Sequence, residues 1–265
     1  MGTRMATFRE LHFADAPLLL PNAWDVGSAL AFAAAGFPAI GTTSFGIAAS
    51  AGVPDGGGST KAPTVALIKQ MCRLPVHVTA DIEDGYSVDA AEVADFVAEL
   101  AGLGVAGVNL EDSGAGHLVD PAIAAAKIAA VKHRTPDVFV NARVDNLWFG
   151  EEATVEAVLL RARAYADAGA DGLFVPGATA PDDIRSIAAG VGLPLNVLAH
   201  PSLTVSELGE LGVKRVSSGS LPYRASVDAA VSSVVTLRDG SQAPRATSYW
   251  DMQSRLEKFG EGAAG

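Results

Sequence analysis

Two carboxylates at the end of an apolar segment are the first residues of this sequence that could do chemistry. The segment "VHVTADIEDGYS" (residues 76–87) is apolar and β-branched until it reaches Asp81 and Glu83. If the segment is a strand, residues two apart point to the same face, which separates these carboxylates by about 6–7 Å. Two buried carboxylates at that distance repel each other unless protons or a cation compensate them.

Further charged residues follow the next two apolar segments. Glu111 ends "GVNLED" (107–112), and Arg143 lies within "VFVNARVD" (138–145). A cluster of Asp81, Glu83 and Glu111 offers hard oxygen ligands without a nearby His or Cys, which favours Mg²⁺ or Mn²⁺ over zinc. An acid cluster bridged by water, without a metal, is the alternative. Asp112 is expected to face away from the cluster or to act as a cap.

A buried arginine and a small-residue turn are candidates for binding an anion. Arg143 needs anionic partners, so it either pairs with Glu111 or Asp145 or binds a substrate carboxylate or phosphonate, and we favour the second role. The segment "GTTSFG" (41–46) combines small residues with free backbone amides, which suits a carboxylate or an oxyanion. An ordinary glycine-flanked turn is the alternative for this segment.

Asn196 and the histidines complete the set of candidates. Asn196 lies in a late apolar segment, "PLNVLA" (194–199), and is a candidate for substrate binding. His200 follows that segment and is the only His placed for chemistry. His117 is the only titratable group in a short loop after Glu111, and its role stays open.

These residues follow apolar segments that alternate with alanine-rich helical segments. The eight predicted strands cover residues 18–25, 39–44, 76–83, 107–112, 138–145, 172–177, 194–199 and 213–220. Apolar residues at spacings of three and four predict helices between them, for example over 90–104 and 154–170. Eight such units predict a (β/α)₈ TIM barrel, whose sites lie at the carboxyl ends of the strands. An open doubly wound sheet is less favoured because no G-x-G-x-x-G follows the first strand.

The sequence predicts a single barrel domain over residues 1–265, which includes a C-terminal helical tail from about 243 to 265. The 265 residues carry a net charge of -11 and no basic run longer than two, which disfavours nucleic-acid binding. No apolar run approaches the roughly 18 residues of a membrane span. A lone cysteine, Cys72, and the absence of a signal-peptide pattern favour a cytoplasmic protein.

With these residues in place, the chain resembles the phosphoenolpyruvate mutase/isocitrate lyase superfamily over about residues 17–240. Four segments carry the resemblance in order: "GTTSFGIAASAGVPDG", "ADIEDGYS", "GVAGVNLED" and "NARVD". The resemblance implies a TIM barrel that makes or breaks a bond at C3 of a pyruvate unit through a pyruvate enolate. It also implies a dimer or tetramer in which the last barrel helix is exchanged between subunits.

The resemblance also implies roles for individual residues. Asp81 resembles the direct Mg²⁺ ligand, and the acids that hold the metal through water are Asp55, Glu83 and Glu111. Arg143 resembles the arginine that contacts the charged end of the substrate. Of these, Arg143, Glu111 and Asp55 are expected to take part in catalysis.

The carboxylate of a 2-oxo acid is expected in a pocket formed at the second strand. The residues that resemble this pocket are Thr43, through its side chain, and Ser44 and Phe45, through their amides. Together with Asp81, Arg143 and Asn196, they make up the predicted substrate-binding set.

Two departures from the family pattern narrow the predicted function. Glu83 replaces the commoner Asp, which lengthens the arm and keeps the charge. After "NLED" the chain reads "SGAGHLVDPAIAAAK" (113–127), without the K-(K/R)-C-G-H segment of the lyases or the long gating loop of the mutases. We therefore expect a Mg²⁺-dependent lyase acting on a small 2-oxo or 2-hydroxy dicarboxylate, as in oxaloacetate decarboxylation or dimethylmalate cleavage. A carbon–phosphorus enzyme and a non-catalytic metabolite-binding barrel are the alternatives.

Overall fold

A nearly closed barrel of parallel strands forms the body of the protein in this computed structural model, which describes residues 6–261. The barrel strands are β1 (Leu18–Leu20), β2 (Asn22–Ala23), β3 (Ala39–Thr42), β4 (His77–Asp81), β5 (Gly107–Glu111), β8 (Phe139–Arg143), β9 (Gly172–Phe174), β10 (Leu195–Leu198) and β11 (Val213–Ser217). They lie in the order β1-β11-β10-β9-β8-β5-β4-β3-β2. A two-stranded hairpin of β6 (Ser113–Gly114) and β7 (His117–Leu118) follows β5. The predicted TIM-barrel fold is confirmed.

The predicted first strand is split into β1 and β2, which is why nine strands replace the expected eight. Pro21 interrupts it, because proline has no N–H to donate to a strand ladder. Before the proline, β1 pairs with β11; after it, β2 pairs with β3. One broken strand therefore joins the two ends of the sheet.

Helices alternate with the strands, as the apolar spacing predicts. They are α1 (Phe8–Leu11), α2 (Val26–Ala34), α3 (Ser44–Ser50), α4 (Lys61–Met71), α5 (Ala90–Gly102), α6 (Pro121–Arg134), α7 (Asn146–Phe149), α8 (Val155–Asp167), α9 (Pro181–Val191), α10 (Val205–Glu210), α11 (Leu221–Arg238) and α12 (Tyr249–Glu261). Left-handed glycines follow several of them, including Gly36 (φ 87°) and Gly169 (φ 98°). None of the helices within residues 6–261 combines the length and apolarity that a membrane crossing requires.

The lower interior of the barrel is polar, which was not predicted from the sequence. Arg215 is fully buried there and donates hydrogen bonds to Ser217 Oγ (3.0 Å) and Asn109 Oδ1 (3.2 Å). Asn141 Nδ2 donates to the same oxygen of Asn109 at 2.9 Å. A Cβ at Gly172 would come within 3.0 Å of Asn141 Oδ1, so glycine leaves room for this network. Burial lowers the pKa of Arg215 to about 9.

The last two helices do not pack into the barrel as the earlier ones do. Neither α11 nor α12 contributes a buried residue. The apolar side chains of α11 that remain exposed include Val231 (59%) and Val234 (67%), and Trp250 of α12 is 76% exposed. Both helices therefore present apolar surface that the described part of the chain leaves uncovered.

A buried ion pair outside the barrel links β5 to α8. As expected, Asp112 points away from the cluster of acids, and it accepts hydrogen bonds from Arg161 Nη1 (3.0 Å) and Tyr165 Oη (2.7 Å). All three side chains are buried. The Asp145 N–H donates to the other oxygen of the Asp112 carboxylate at 2.9 Å. Because the carboxylate is held away from water, it depends on these three donors.

Replacing Tyr165 by Phe should therefore destabilise the fold by about 1–3 kcal/mol, because Asp112 loses a buried donor. Urea unfolding followed by circular dichroism measures the change. Tyr249→Phe is the matched control, since Tyr249 is 72% exposed. Equal stabilities of the two variants would contradict the importance of this pair.

Candidate functional site

A cavity of about 820 Å³ opens at the carboxyl ends of the barrel strands. Its lining residues include eight of the nine predicted site residues, which are Thr43, Ser44, Phe45, Asp55, Asp81, Glu83, Glu111 and Arg143. Segments far apart in the sequence meet here because parallel strands end at the same rim of the barrel.

Asp81 ends β4 and lines the cavity together with the other acids. Its Oδ2 accepts a long hydrogen bond from the Ser44 N–H (3.4 Å), and its Oδ1 is buried without a hydrogen-bond partner. Burial raises the pKa of Asp81 to about 6; Asp55 and Glu83 add to the rise, and Arg143 opposes it. An unpartnered buried carboxylate oxygen is costly, so this atom is suited to bind a cation.

Glu83 reaches the cavity by a different route from the one expected. The strand ends at Asp81, and Glu83 has a φ of +49°, so the prediction that both acids point to one side of a strand is wrong. The turn that follows explains this, because Asp84 Oδ1 accepts from the Tyr86 N–H at 2.9 Å. Glu83 Oε2 accepts from the Gly58 N–H (3.2 Å), and its other oxygen accepts from the Thr60 hydroxyl.

Glu111 and Arg143 are neighbours across two paired strands. They are register partners in β5 and β8, and Arg143 donates to Glu111 and, at 2.7 Å, to Asp145 Oδ1. Burial raises the pKa of Glu111 to about 8; the charge of Arg143 opposes this rise, and the charge of Asp81 adds to it. Burial alone would lower the pKa of Arg143, but Glu111 and Asp145 outweigh it and raise it. Both ion pairs foreseen for Arg143 are therefore present, and its side chain still lines the cavity.

The segment after β3 brings backbone amides to the cavity. Thr43 is the N-cap of α3, where its Oγ1 accepts from the Gly46 N–H at 3.4 Å. Close packing requires the glycine, since a Cβ at Gly46 would lie 2.8 Å from the Trp24 side chain. Phe45 is 39% exposed and lines the opening. Asp55 follows in a glycine-rich turn and is exposed on the same side.

Asn196 and two histidines do not line the cavity. Asn196 is buried below it, with Oδ1 accepting from Ser217 Oγ at 3.2 Å. His200 closes a turn, where its Nδ1 accepts from the Leu203 N–H at 3.0 Å. His117 pairs with Glu151, and its side chain is 78% exposed. None of the three is aimed at the acids.

Sequence reasoning missed the apolar part of the lining. The apolar residues that it overlooked are Trp148, Phe149, Phe174, Pro176 and Leu198. The predicted site rested on polar residues at strand ends, and apolar residues at the same positions were not included in it. The available signal was their place within predicted strands, for Phe174, Pro176 and Leu198, or a few residues after one, for Trp148 and Phe149.

The donor set fits Mg²⁺ better than a metal that needs a full protein cage. Among the described residues, no three acidic, His or Cys side chains lie close enough together to enclose a metal ion. Mg²⁺ keeps several of its waters and often takes only one or two carboxylates. Asp81, with its unpartnered oxygen, could bind Mg²⁺ directly, while Asp55, Glu83 and Glu111 could reach it through water.

Comparisons with known proteins identify a matching family model and several relatives of this chain. The family model described as phosphoenolpyruvate phosphomutase matches residues 8–238. An uncharacterised protein of Mycobacterium tuberculosis is 50% identical, covering 96% of this chain and 97% of its own. The 2-methylisocitrate lyase of Bacillus subtilis is 30% identical over 95% and 87% of the two chains. An oxaloacetate decarboxylase of a Bradyrhizobium strain is 34% identical over 65% and 62%.

Solved structures show the same fold. A putative phosphonomutase from Burkholderia cenocepacia is 41% identical with a TM-score of 0.81, covering 86% of this chain and 97% of its own. A 2,3-dimethylmalate lyase is 26% identical with a TM-score of 0.83, covering 99% and 100%. A phosphonopyruvate hydrolase in complex with oxalate and Mg²⁺ (24%, TM-score 0.82, 96% of both chains) supports the fold alone. The chain thus belongs to the phosphoenolpyruvate phosphomutase family, within the phosphoenolpyruvate mutase/isocitrate lyase superfamily.

Proposed function

We propose that this protein is a Mg²⁺-dependent carbon–carbon lyase acting on a small 2-oxo or 2-hydroxy dicarboxylate. One observation carries the proposal: Asp81, with its unpartnered oxygen, shares a cavity with Glu111 and Arg143. Relatives with lyase and decarboxylase activities support the same class of reaction. Mg²⁺ would supply a Lewis acid that stabilises negative charge developing on the C2 oxygen of the substrate.

The residues of the cavity divide the remaining tasks. The backbone around Ser44 and Phe45, with the Thr43 side chain, would hold the carboxylate next to the carbonyl, since N–H and O–H groups stabilise an oxyanion. Arg143 would bind the charged far end of the substrate, where a guanidinium matches a carboxylate. Asp145 and Glu111 orient that guanidinium through their hydrogen bonds.

Decarboxylation of a 2-oxo dicarboxylate is the favoured version of the reaction. The C3–C4 bond breaks and CO₂ leaves. The electrons of the broken bond pass to the C2 oxygen to give an enolate, and C3 then takes a proton. Bond cleavage itself needs no protein base, which suits a loop (113–118) whose only titratable side chain, His117, is turned towards Glu151. Cleavage of a 2-hydroxy acid would need a group to accept the hydroxyl proton.

Carbon–phosphorus chemistry is a weaker candidate. A phosphonate dianion calls for more than one cationic partner, and Arg143 is the single Lys, Arg or His side chain in the cavity lining of the described chain. A non-catalytic barrel is also less favoured, because it has no use for buried carboxylates whose mutual repulsion must be compensated.

A substrate panel with and without chelator tests the proposal. Pyruvate release is followed with oxaloacetate, 2,3-dimethylmalate, 2-methylisocitrate and phosphonopyruvate in Mg²⁺, against a protein-free blank for spontaneous decarboxylation. We expect release from oxaloacetate or dimethylmalate that EDTA abolishes. Release from none of the four would exclude this lyase function, and release that persists in EDTA would exclude the metal.

Asp81→Asn should weaken Mg²⁺ binding at least about tenfold, because a neutral amide replaces the carboxylate proposed to bind the ion. Isothermal calorimetry with Mg²⁺ alone measures the effect independently of activity. Asp182→Asn is the control, since that side chain is 95% exposed on α9. An unchanged Mg²⁺ affinity of Asp81→Asn would remove Asp81 from the metal site.

Stability in the absence of metal should fall as pH rises from about 4 to 8. Folding raises the pKa of Asp81 from 3.8 to about 6 and that of Glu111 from 4.5 to about 8, so the folded state retains protons that the unfolded chain has released. Mg²⁺ should therefore raise the melting temperature more at pH 8 than at pH 6. In the Asp81→Asn/Glu111→Gln double variant the fall with pH should flatten; an equally steep fall would show that other groups cause it.

We further propose that the protein is a homo-oligomer, dimer or tetramer, joined through α11 and α12. Their uncovered apolar side chains support this, because contiguous exposed apolar surface is typical of subunit contacts. Val234→Asp on α11 should shift the mass measured by light scattering towards the monomer. Leu160→Asp on α8, at the similar exposure of 68%, is the control. A monomeric parent protein would contradict the proposal.

A further inference from the structure

The rim of the cavity divides into two chemically different halves. The acids come from the loops and ends of the adjacent strands β3, β4 and β5, where Phe45, Val88 and Ala115 also line the cavity. The lining residues at the ends of the adjacent strands β8, β9 and β10 include no acid, and apart from Arg143 they are apolar. Arg143, at the end of β8, marks the boundary. A substrate that binds the acidic half through a cation must therefore extend its other substituents over the apolar half.

Aromatic rings form the core of that apolar half. The rings of Trp148 and Phe174 each lie 5.8 Å from Arg143 Cζ, and Pro176 and Leu198 complete the wall. Trp148 is 53% exposed, whereas Phe174 is 5% exposed and fixed in the barrel. We refer to Trp148, Phe174, Pro176 and Leu198 as the apolar wall.

Backbone packing holds the tryptophan in position. A Cβ at Gly177 would lie 2.4 Å from the carbonyl carbon of Leu147 and 2.6 Å from the Trp148 nitrogen. The turn after β9 therefore packs directly against α7, which only a glycine permits. The turn after β9 and the helix α7 therefore support each other, so the wall does not depend on a free loop.

The charges of the cavity leave little room for an additional anionic group. Arg143 is its single cationic side chain among the described lining residues, and it is already bonded to Glu111 and Asp145. A second guanidinium or ammonium group to meet another carboxylate is absent from that lining. Hydrocarbon is the chemistry that the apolar wall can accept without an unpaired charge.

We propose that the apolar wall selects substrates with a hydrocarbon branch on C3, the carbon next to the carbonyl. This inference rests on the proposed function for the orientation of the substrate. In the decarboxylation, the C3–C4 bond breaks, CO₂ leaves, the electrons pass to the C2 oxygen and C3 takes a proton, while the branch stays on C3 unchanged. The product is then a 2-oxo acid longer than pyruvate, and a tricarboxylate is a poor substrate.

A series of product-like acids tests this inference by binding alone. Affinities of pyruvate, 2-oxobutanoate and 2-oxopentanoate are measured by calorimetry in Mg²⁺. Affinity should rise about fourfold with each CH₂ group.

Trp148→Ala should reduce the ratio of 2-oxopentanoate to pyruvate affinity from about 15-fold to about threefold. Phe13→Ala removes an aromatic ring that is 60% exposed and outside the cavity lining, and should leave the ratio unchanged. The series on the unmodified protein stands by itself if the Trp148 variant folds poorly. A flat series, or an unchanged ratio in a folded Trp148→Ala variant, would overturn the inference.

Oxalate binding distinguishes a failure of this inference from a failure of the proposed function. Oxalate mimics the enolate and has no branch, so it reports on the acidic half alone. Tight oxalate binding with a flat series would retain the lyase function and reject the wall. A rising series without oxalate binding would retain the wall and reject the enolate site, and no binding of any acid would reject both.

Discussion

Repulsion between carboxylates at the rim of the barrel is the constraint on which the site depends. Burial raises the pKa of Asp81 to about 6 and that of Glu111 to about 8; the charges of Asp55 and Glu83 add to the rise at Asp81, and the charge of Asp81 adds to the rise at Glu111. Arg143 is the only cation that the described lining sets against them. Because a single guanidinium cannot neutralise several buried acids, the cavity favours a bound cation or retained protons. A divalent ion with its own waters meets that need with few direct ligands.

The barrel interior supports this rim from below with polar groups instead of the usual branched aliphatic layers. Arg215 is bonded to Asn109 and Ser217, two residues that also line the cavity floor. A fully buried arginine without an acidic partner in hydrogen-bond contact is costly, so the fold retains an unusual positive charge beneath the acids. The floor of the cavity is thereby held by hydrogen bonds, which fix its side chains more specifically than apolar packing.

The two halves of the rim explain how a shared fold can accommodate different substrates. Relatives of this chain carry names as different as methylisocitrate lyase and oxaloacetate decarboxylase. The acidic half is assembled from strand ends and short turns that the barrel fixes. The other half is lined by residues such as Trp148 and Phe174, whose rings lie beside Arg143. Substrate choice can therefore vary while the charge arrangement is kept.

The sequence by itself determined the barrel, because strand and helix periodicities are local and eight alternating units leave few topologies. It also identified most of the acids, since charged residues at the ends of apolar strands are conspicuous. Tertiary structure decided how they act: Glu83 enters the cavity through a left-handed turn rather than along a strand, and Asn196 lies below the cavity, in contact with Ser217. The apolar wall and the hydrogen bond between Arg215 and Asn109 likewise depend on residues of different strands meeting in the barrel. Such contacts follow from strand register and packing, which the local pattern of a sequence does not encode.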